Sequence, residues 1–216
     1  MFFNPLLHKT DKQLEEDLKK DNYNGFLLTK AVRLDAKTTL LPENGFKLVW
    51  CQIDKNTRER ALLVCASREI LWDLFIDFVS ITGSVTDVCL ESSHHSANHD
   101  CHTDFIVEEK EVILTTSTFF DFQDILLNDG CTGIAVYNGK RRVEVQLCEH
   151  KFISIYGWKK HKRKIKKILE KYGIPLNKEM SCVVWQPHMH VSSTSYAEEF
   201  ENFKIAMGAD FYDSAI

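Results

Sequence analysis

The stretch LLNDGCTGIAVYNG, residues 126–139, matters most for the fold because an earlier stretch of the chain follows the same pattern. That earlier stretch is LKKDNYNGFLLTKAV, residues 18–32. In both, a helical run of polar and apolar residues ends at an aspartate, and after three intervening residues a glycine opens an apolar, strand-like run. Self-similarity within one chain indicates a duplicated structural unit. The pattern therefore predicts two related halves.

The rest of each half supports the same interpretation. Two further strand-like runs follow, at 46–53 and 61–67 in the first half and at 142–148 and 151–157 in the second. Each half then presents a helix and a last strand. Strand runs joined by short turns favour antiparallel pairing. We therefore expect an α+β fold, a tandem pseudo-symmetric repeat of a helix, three strands, helix, strand unit with mixed or antiparallel sheets.

The domain organisation follows from this repeat. We expect a first α+β repeat at 1–110 with a surface insertion near 33–46, and a second repeat at 111–216 that carries a C-terminal helix. No Pro/Gly/Ser-rich linker separates them, so we expect one compact unit. The helix of the first half, at 68–81, has a wide apolar stripe. The helix at 159–173 has a narrow one formed by Ile165, Ile168, Leu169 and Tyr172.

Composition limits the function classes. The chain has 216 residues, 44% of them hydrophobic, and a formal net charge of −4, which is too small to indicate a polyanionic or polycationic partner. Seven cysteines, an odd number, lie mostly in apolar runs, which predicts free thiols in the reducing cytoplasm. The start of the chain does not have the pattern of a secretory signal, and its longest apolar run is too short to cross a membrane.

The segment HHSANHDCHTD, residues 94–104, holds four of the nine histidines. In a helix, His95, His99 and His102 would share one face, which is a metal-ligand arrangement. However, the segment has almost no apolar residues to anchor a helix, so an exposed, metal-free loop is the favoured interpretation.

A second pair of histidines, in QPHMHVSS at 186–193, shares one face of a predicted strand. The candidate metal ligands are therefore His94, His95, His99, His102, His188 and His190, for zinc or another divalent transition metal. We expect the two groups of histidines to lie apart.

A basic run follows Tyr156 and Trp158. It provides candidate anion-binding residues, which are Lys159, Lys160, Lys162, Arg163 and Lys164. The acidic remainder of the chain disfavours nucleic acid as a partner. Cys148 and His150 would share a strand face, where packing is favoured over a catalytic pair.

The motifs GxSxG, GxGxxG and the P-loop are absent from the sequence. The sequence therefore favours a non-catalytic cytoplasmic binding or regulatory module, built by duplication, that contacts a protein partner and needs no cofactor. The alternative is a metal-binding protein or a metal-dependent hydrolase that uses the His94–His102 cluster.

Overall fold

A seven-stranded antiparallel sheet forms the centre of the protein. The structure is a computed structural model, and it describes residues 11–35, 38–39, 41–52, 56–94 and 102–209. The helices are α1 (Asp11–Lys19), α2 (Arg68–Val79), α3 (Val112–Asp121), α4 (Gln123–Asn128), α5 (Lys162–Lys171) and α6 (Thr194–Met207). The strands are β1 (Asn22–Tyr23), β2 (Phe26–Leu27), β3 (Val32–Leu34), β4 (Gly45–Gln52), β5 (Arg58–Cys65), β6 (Val85–Ser92), β7 (Thr103–Glu111), β8 (Thr132–Asn138), β9 (Val143–Leu147), β10 (Ile153–Tyr156) and β11 (His188–His190).

The strand order of the main sheet is β4-β5-β10-β9-β8-β6-β7. Strands β1 and β2 form a separate hairpin, and β11 pairs with β3 in a third small sheet. The predicted α+β class with antiparallel sheets is confirmed.

The predicted internal repeat is not confirmed. Strand β6, the last strand of the first half, lies in the main sheet beside β8, whereas its expected counterpart β11 leaves that sheet and pairs with β3. The expected long last strand is also interrupted, because Val183–Trp185 forms a short 3-10 helix. Arg33 and Leu34, at the start of the expected surface insertion, are buried in β3.

The main hydrophobic core includes α2, α5 and α6 together with one face of the sheet. In α2, Phe75 and Phe78 are fully buried, and complete burial of a side chain of this size stabilises the fold by about 1.5–3 kcal/mol. In α5, Ile165 and Leu169 are buried and Ile168 is half-buried, so the predicted narrow apolar stripe is confirmed. Both halves of the chain contribute to this core.

A disulfide bond joins Cys65 on β5 to Cys182. For this pair the expectation of free thiols was wrong, because the segment that leads to β11 crosses over β5 and brings the two sulfur atoms together. Cys51, Cys89, Cys131 and Cys148 have free thiols. Across the described ranges, the helices are too short or too polar to span a membrane.

Candidate metal centre

Three histidine side chains meet at the point where β11 passes the turn between β9 and β10. His188 and His190 point from β11, which is held by pairing with β3. His150 comes from the β9–β10 turn, which is closed by a hydrogen bond of 2.9 Å from Lys151 N to the carbonyl oxygen of Cys148. Lys151 has a φ of 58°, so the turn reverses tightly enough to direct His150 toward β11.

The ring nitrogens of these histidines converge. His190 Nε2 lies 3.2 Å from His150 Nε2 and 3.2 Å from His188 Nε2. The three ligand nitrogens all lie within 4.8 Å of one another. We call these three residues the histidine triad.

Hydrogen bonds to the opposite ring nitrogens define the protonation of two of these rings. His188 Nδ1 lies 2.6 Å from the carbonyl oxygen of Gln186, and His190 Nδ1 lies 2.5 Å from that of Gly130. A carbonyl oxygen only accepts, so each Nδ1 must carry the proton. In the neutral ring, Nε2 is then a lone-pair acceptor, and these two lone pairs face each other across 3.2 Å.

Two opposed lone pairs repel each other unless a cation lies between them. Zinc binds imidazole nitrogen at about 2.0–2.1 Å with tetrahedral angles, which places two ligand nitrogens about 3.3 Å apart. The two observed separations of 3.2 Å are close to this value. In addition, metal-bound histidines usually donate their second ring N–H to a carbonyl or carboxylate, as His188 and His190 do.

Two of these histidines, His150 and His188, are also poor at holding protons. Burial, together with the neighbouring His190 and His188, lowers the pKa of His150 to about 3. Burial lowers the pKa of His188 as well, despite its bond to Gln186. Metal ligation needs neutral imidazole, so the surroundings favour the form that binds metal.

Glu149 supplies a carboxylate beside the triad. One of its oxygens lies 3.9 Å from His150 Nδ1 and the other lies 3.8 Å from His102 Nδ1. The Glu149 side chain is 16% exposed, so the negative charge is largely screened from water. Both distances are longer than a hydrogen bond, so Glu149 acts on the His150 ring through its charge.

Gly130 lets β11 approach closely enough to complete the site. Its N–H donates to the carbonyl oxygen of Val191 over 2.8 Å, and Val191 N donates to Ala31 O over 2.8 Å. A β-carbon at Gly130 would lie 2.8 Å from Val191 N and would collide with the carbonyl oxygen of Ala31. Only glycine fits this three-way main-chain contact, which also directs the Gly130 carbonyl to His190.

A second polar cluster is centred on Asp129, the residue before Gly130. His94 Nε2 lies 3.0 Å from Asp129 Oδ2, and Thr132 Oγ1 donates to the same oxygen over 2.5 Å. The ligand atoms of His94, Asp129 and Cys131 lie within 4.8 Å of one another. The second oxygen of Asp129 is buried without a hydrogen-bond partner among the described residues. We call His94, Asp129 and Cys131 the buried cluster.

His94 and Asp129 of the buried cluster form an ion pair. Burial alone would lower the pKa of His94, but the hydrogen bond and charge of Asp129 outweigh it and raise this pKa to about 9. For Asp129, burial acts to raise the pKa, and hydrogen bonds from His94, Ser192 and Thr132 reverse the sign and lower it. Both groups are therefore charged at neutral pH.

Lys151 is a further buried cation beside this cluster. Its Nζ donates to the carbonyl oxygen of Thr132 over 2.7 Å. Burial lowers its pKa to about 8, although Asp129 acts in the opposite direction. The two clusters and Lys151 thus form one continuous polar region at the end of the main sheet.

The structure brings together only part of the predicted ligand set. His188 and His190 converge with each other and with His150, which the sequence led us to interpret as a packing residue. His94 is buried against Asp129 instead of lying in an exposed loop, since a buried carboxylate satisfies it. His102 contacts Glu149, while His95 and His99 lie outside the described residues.

The basic candidates lie elsewhere. Lys159 and Lys160, in the 3-10 helix Trp158–His161, line a cleft at the opposite end of the main sheet. Lys162, Arg163 and Lys164 lie exposed in the first turn of α5.

Comparison of the chain with models of protein families, with curated proteins and with solved structures gives no match.

Proposed function

We propose that this protein binds a divalent transition metal ion, zinc being the best fit, through His150, His188 and His190. The observation that carries the proposal is the pair of Nε2 lone pairs, on His188 and His190, that face each other at 3.2 Å while both Nδ1 atoms donate to carbonyl oxygens. Nitrogen-only ligands favour zinc, copper, nickel or iron over magnesium and calcium, which prefer oxygen.

The ligand number supports a catalytic role over a purely structural one. Structural zinc sites are closed by four protein ligands, whereas catalytic sites use three and keep a position for water. His190 is exposed, so the remaining position of the histidine triad is accessible to solvent. A zinc ion lowers the pKa of its bound water to about 7. A metal-dependent hydrolase is therefore the function that the site supports best.

The neighbouring groups suit such a role. Glu149 places a carboxylate at the back of the site, and His94 and Asp129 provide a buried ion pair next to Gly130. From the sequence, the candidate metal site of a hydrolase was the His94–His102 segment. We now propose the histidine triad as that site.

Elemental analysis of the purified, untagged protein tests the binding step. After zinc is added and excess zinc is removed, we expect about one zinc ion per chain, because the three histidines form one binding site. His188→Ala and His190→Ala should each lose the bound zinc, whereas His161→Ala, a histidine outside both clusters, should keep it. Retention of zinc by both triad variants would contradict the proposal.

Cobalt substitution tests the coordination. Cobalt in a four-coordinate site of three imidazoles and a water absorbs visible light more strongly than six-coordinate cobalt, and this band should disappear in His190→Ala. Hydrolysis of a simple activated ester, inhibited by a chelator and restored by zinc, would support the catalytic part. Bound zinc without any such hydrolysis would support zinc binding and contradict the proposed hydrolase activity.

The non-catalytic module remains a second candidate because one helix exposes an apolar surface. In α3, the exposed fractions of Ile113, Leu114 and Phe120 are 80%, 63% and 52%. Exposed apolar groups of this size are typical of protein contact sites, so we propose α3 as the surface for a protein partner. If that partner is a second copy, sedimentation of the wild type should show a dimer that Ile113→Glu dissociates.

A cytoplasmic location is the setting we propose for this activity. Its support is the set of free thiols at Cys51, Cys89, Cys131 and Cys148, which are typical of reducing compartments. The Cys65–Cys182 disulfide is the observation that weighs against it. Fractionation of the source cells, followed by detection of the protein in the cytoplasmic fraction or outside it, tests this location.

A further inference from the structure

A cleft of about 570 Å³ opens at the end of the main sheet that lies away from the histidine triad. It is bordered by the β4–β5 hairpin, the β8–β9 turn and the segment that links β10 to α5. The triad residue His150 follows β9 at its far end, and β9 runs for five residues, Val143–Leu147, which corresponds to roughly 15 Å of extended chain. The cleft is therefore a separate site.

Positive charge predominates in the lining of the cleft. Its cationic side chains are those of Arg58, Arg60, Arg142, Lys159 and Lys160. Among the described lining residues the carboxylates are Glu59 and Glu144, and burial, aided by Glu59, raises the pKa of Glu144. The overall charge of −4 is too small to indicate a partner, but the relevant charge is local, and here it is positive.

Four aromatic side chains share this lining with the cations: Trp50, Tyr137, Tyr156 and Trp158. Trp50 and Tyr137 are unusually open, with exposed fractions of 63% and 42%. Tryptophan is normally well buried because its ring has a large apolar area. Its exposure beside a cleft indicates a surface that covers a planar ring of a ligand.

The positions of these side chains are fixed by the fold. Trp158 Nε1 donates to the carbonyl oxygen of Arg60 over 3.1 Å, which ties it to β5. Gly157, before it, has a φ of 64°, and a β-carbon there would collide with the carbonyl oxygen of Arg142. Because the β10–α5 link packs main chain against main chain at this point, Trp158 and Lys159 are held next to the β8–β9 turn.

Two of the rings are already in contact with cations. Arg60 Cζ lies 5.7 Å from the ring centroid of Trp50, and Lys162 Nζ lies 5.3 Å from that of Trp158. A ligand with both a ring and an anionic group would use the aromatic faces and the nearby cations together. An anion without a ring would leave Trp50 uncovered.

We propose that this cleft binds a nucleoside phosphate, with its base on the exposed aromatic rings and its phosphate among the arginines and lysines. The volume of about 570 Å³ falls within the usual range for small-molecule sites. Stacking on aromatic side chains combined with a positive groove is also the way proteins hold single-stranded nucleic acid. The ligand is therefore a free nucleotide or one unit of a strand, which share the same chemistry.

Calorimetric titration of the full chain at low salt tests the proposal with four probes: adenosine 5′-monophosphate, adenosine, inorganic phosphate and a single-stranded deoxythymidine decamer. The monophosphate should bind more tightly than adenosine or phosphate alone. Tighter binding of the decamer, with affinity that falls steeply as salt rises, would identify a strand as the source. Equal or weaker binding of the decamer would identify a free nucleotide.

Matched charge variants separate the cleft from general attraction to a basic helix. Lys159→Glu with Lys160→Glu should weaken binding of the monophosphate at least tenfold. Lys166→Glu with Lys167→Glu makes the same change in net charge on exposed residues of α5 that do not line the cleft, and it should change the affinity by less than about threefold. Equal losses in both double variants would overturn the proposal.

Trp50→Ala tests the aromatic part, and because Trp50 is 63% exposed, its removal should leave the fold intact. Removal of one stacking ring should weaken the binding of the monophosphate by roughly 5- to 150-fold and leave the affinity for inorganic phosphate unchanged. Unchanged binding of the monophosphate, or failure of the wild type to bind both the monophosphate and the decamer, would overturn the proposal.

Discussion

Replacement of His190 by glutamine is the sharpest test of the histidine triad. His190 is the ring that touches both others, at 3.2 Å from His150 Nε2 and 3.2 Å from His188 Nε2. It is exposed, and within the described part of the chain its side chain contacts one main-chain atom, the carbonyl oxygen of Gly130. Loss of one such hydrogen bond costs about 1 kcal/mol, so the variant should fold and its metal-free stability should be close to that of the wild type.

The expected effect is on the stabilisation by zinc. At a free zinc concentration of 100 times Kd, binding stabilises the wild type by about 2.7 kcal/mol. For a domain of 150–250 residues each kcal/mol raises Tm by about 2–4 °C, so zinc should raise Tm by about 5–11 °C. Loss of an outer partner of a metal site weakens binding by about 10- to 100-fold, and loss of a ligand should cost at least the upper value.

At the same zinc concentration the variant would then be at most half occupied. The stabilisation falls to about 0.4 kcal/mol, or a rise in Tm of about 1 °C. The assay is calorimetric melting with zinc and with a chelator, and the control is His161→Gln, which should keep the full shift. An equal zinc-induced shift in His190→Gln and the wild type would refute the assignment of the triad.

Further predictions concern the surroundings of the site. Because the folded-state pKa of His94 is about 9, above its ordinary value of 6.5, its pairing with Asp129 stabilises fully between the ordinary pKa of Asp129, 3.8, and pH 6.5, and less as pH rises through 9. Urea unfolding should show that decline in the wild type, and Asp129→Asn should remove it and destabilise the protein by about 3–5 kcal/mol near pH 6. Gly130→Ala should weaken zinc binding at least tenfold in calorimetry, because its β-carbon pushes β11 away. Under non-reducing conditions, Cys182→Ser should lower the free energy of unfolding by up to about 5 kcal/mol in urea titrations, because Cys65 and Cys182 close a loop with a sequence separation of 117.

Much of the fold could be predicted because hydrophobic periodicity is a local signal. The stripes of α2 and α5 were readable, and so was the C-terminal helix, whose Phe200, Phe203 and Met207 are buried and which ends at Gly208. The strands around 46–52, 58–65 and 143–147 also matched their apolar runs. These elements bury a continuous face, so their sequence pattern and their tertiary environment agree.

The internal repeat could not be predicted reliably from local sequence patterns. Similar element order does not fix which strands become neighbours, because pairing depends on contacts between residues far apart in sequence. β11 has only three residues, His188–His190, and its pairing with β3 leaves no trace in hydrophobic periodicity. The disulfide between Cys65 and Cys182 depends on the same crossing of β5 and was equally invisible.

The candidate site shows the same limit for side chains. A high local density of histidine drew attention to residues 94–104, yet a metal site needs convergence in space. His150 lies alone in a β-turn, and the sequence offered no reason to join it to His188 and His190. The expectation for His94 failed because it was based on the polar residues next to it in the sequence, while its partner Asp129 lies on another element.

Gly130 connects the two polar clusters through the main chain. Its carbonyl oxygen accepts from His190 Nδ1, and the residue before it, Asp129, binds His94. A movement of β11 that breaks the Gly130–Val191 contact would therefore turn the His190 ring and shift the buried ion pair at once. Since the peptide unit between Asp129 and Gly130 is planar and stiff, a rotation of this unit displaces the Gly130 carbonyl that His190 contacts, close to the residue that pairs with His94. Neutralisation of Asp129 should for this reason weaken zinc binding as well as folding, even though Asp129 is not a member of the histidine triad.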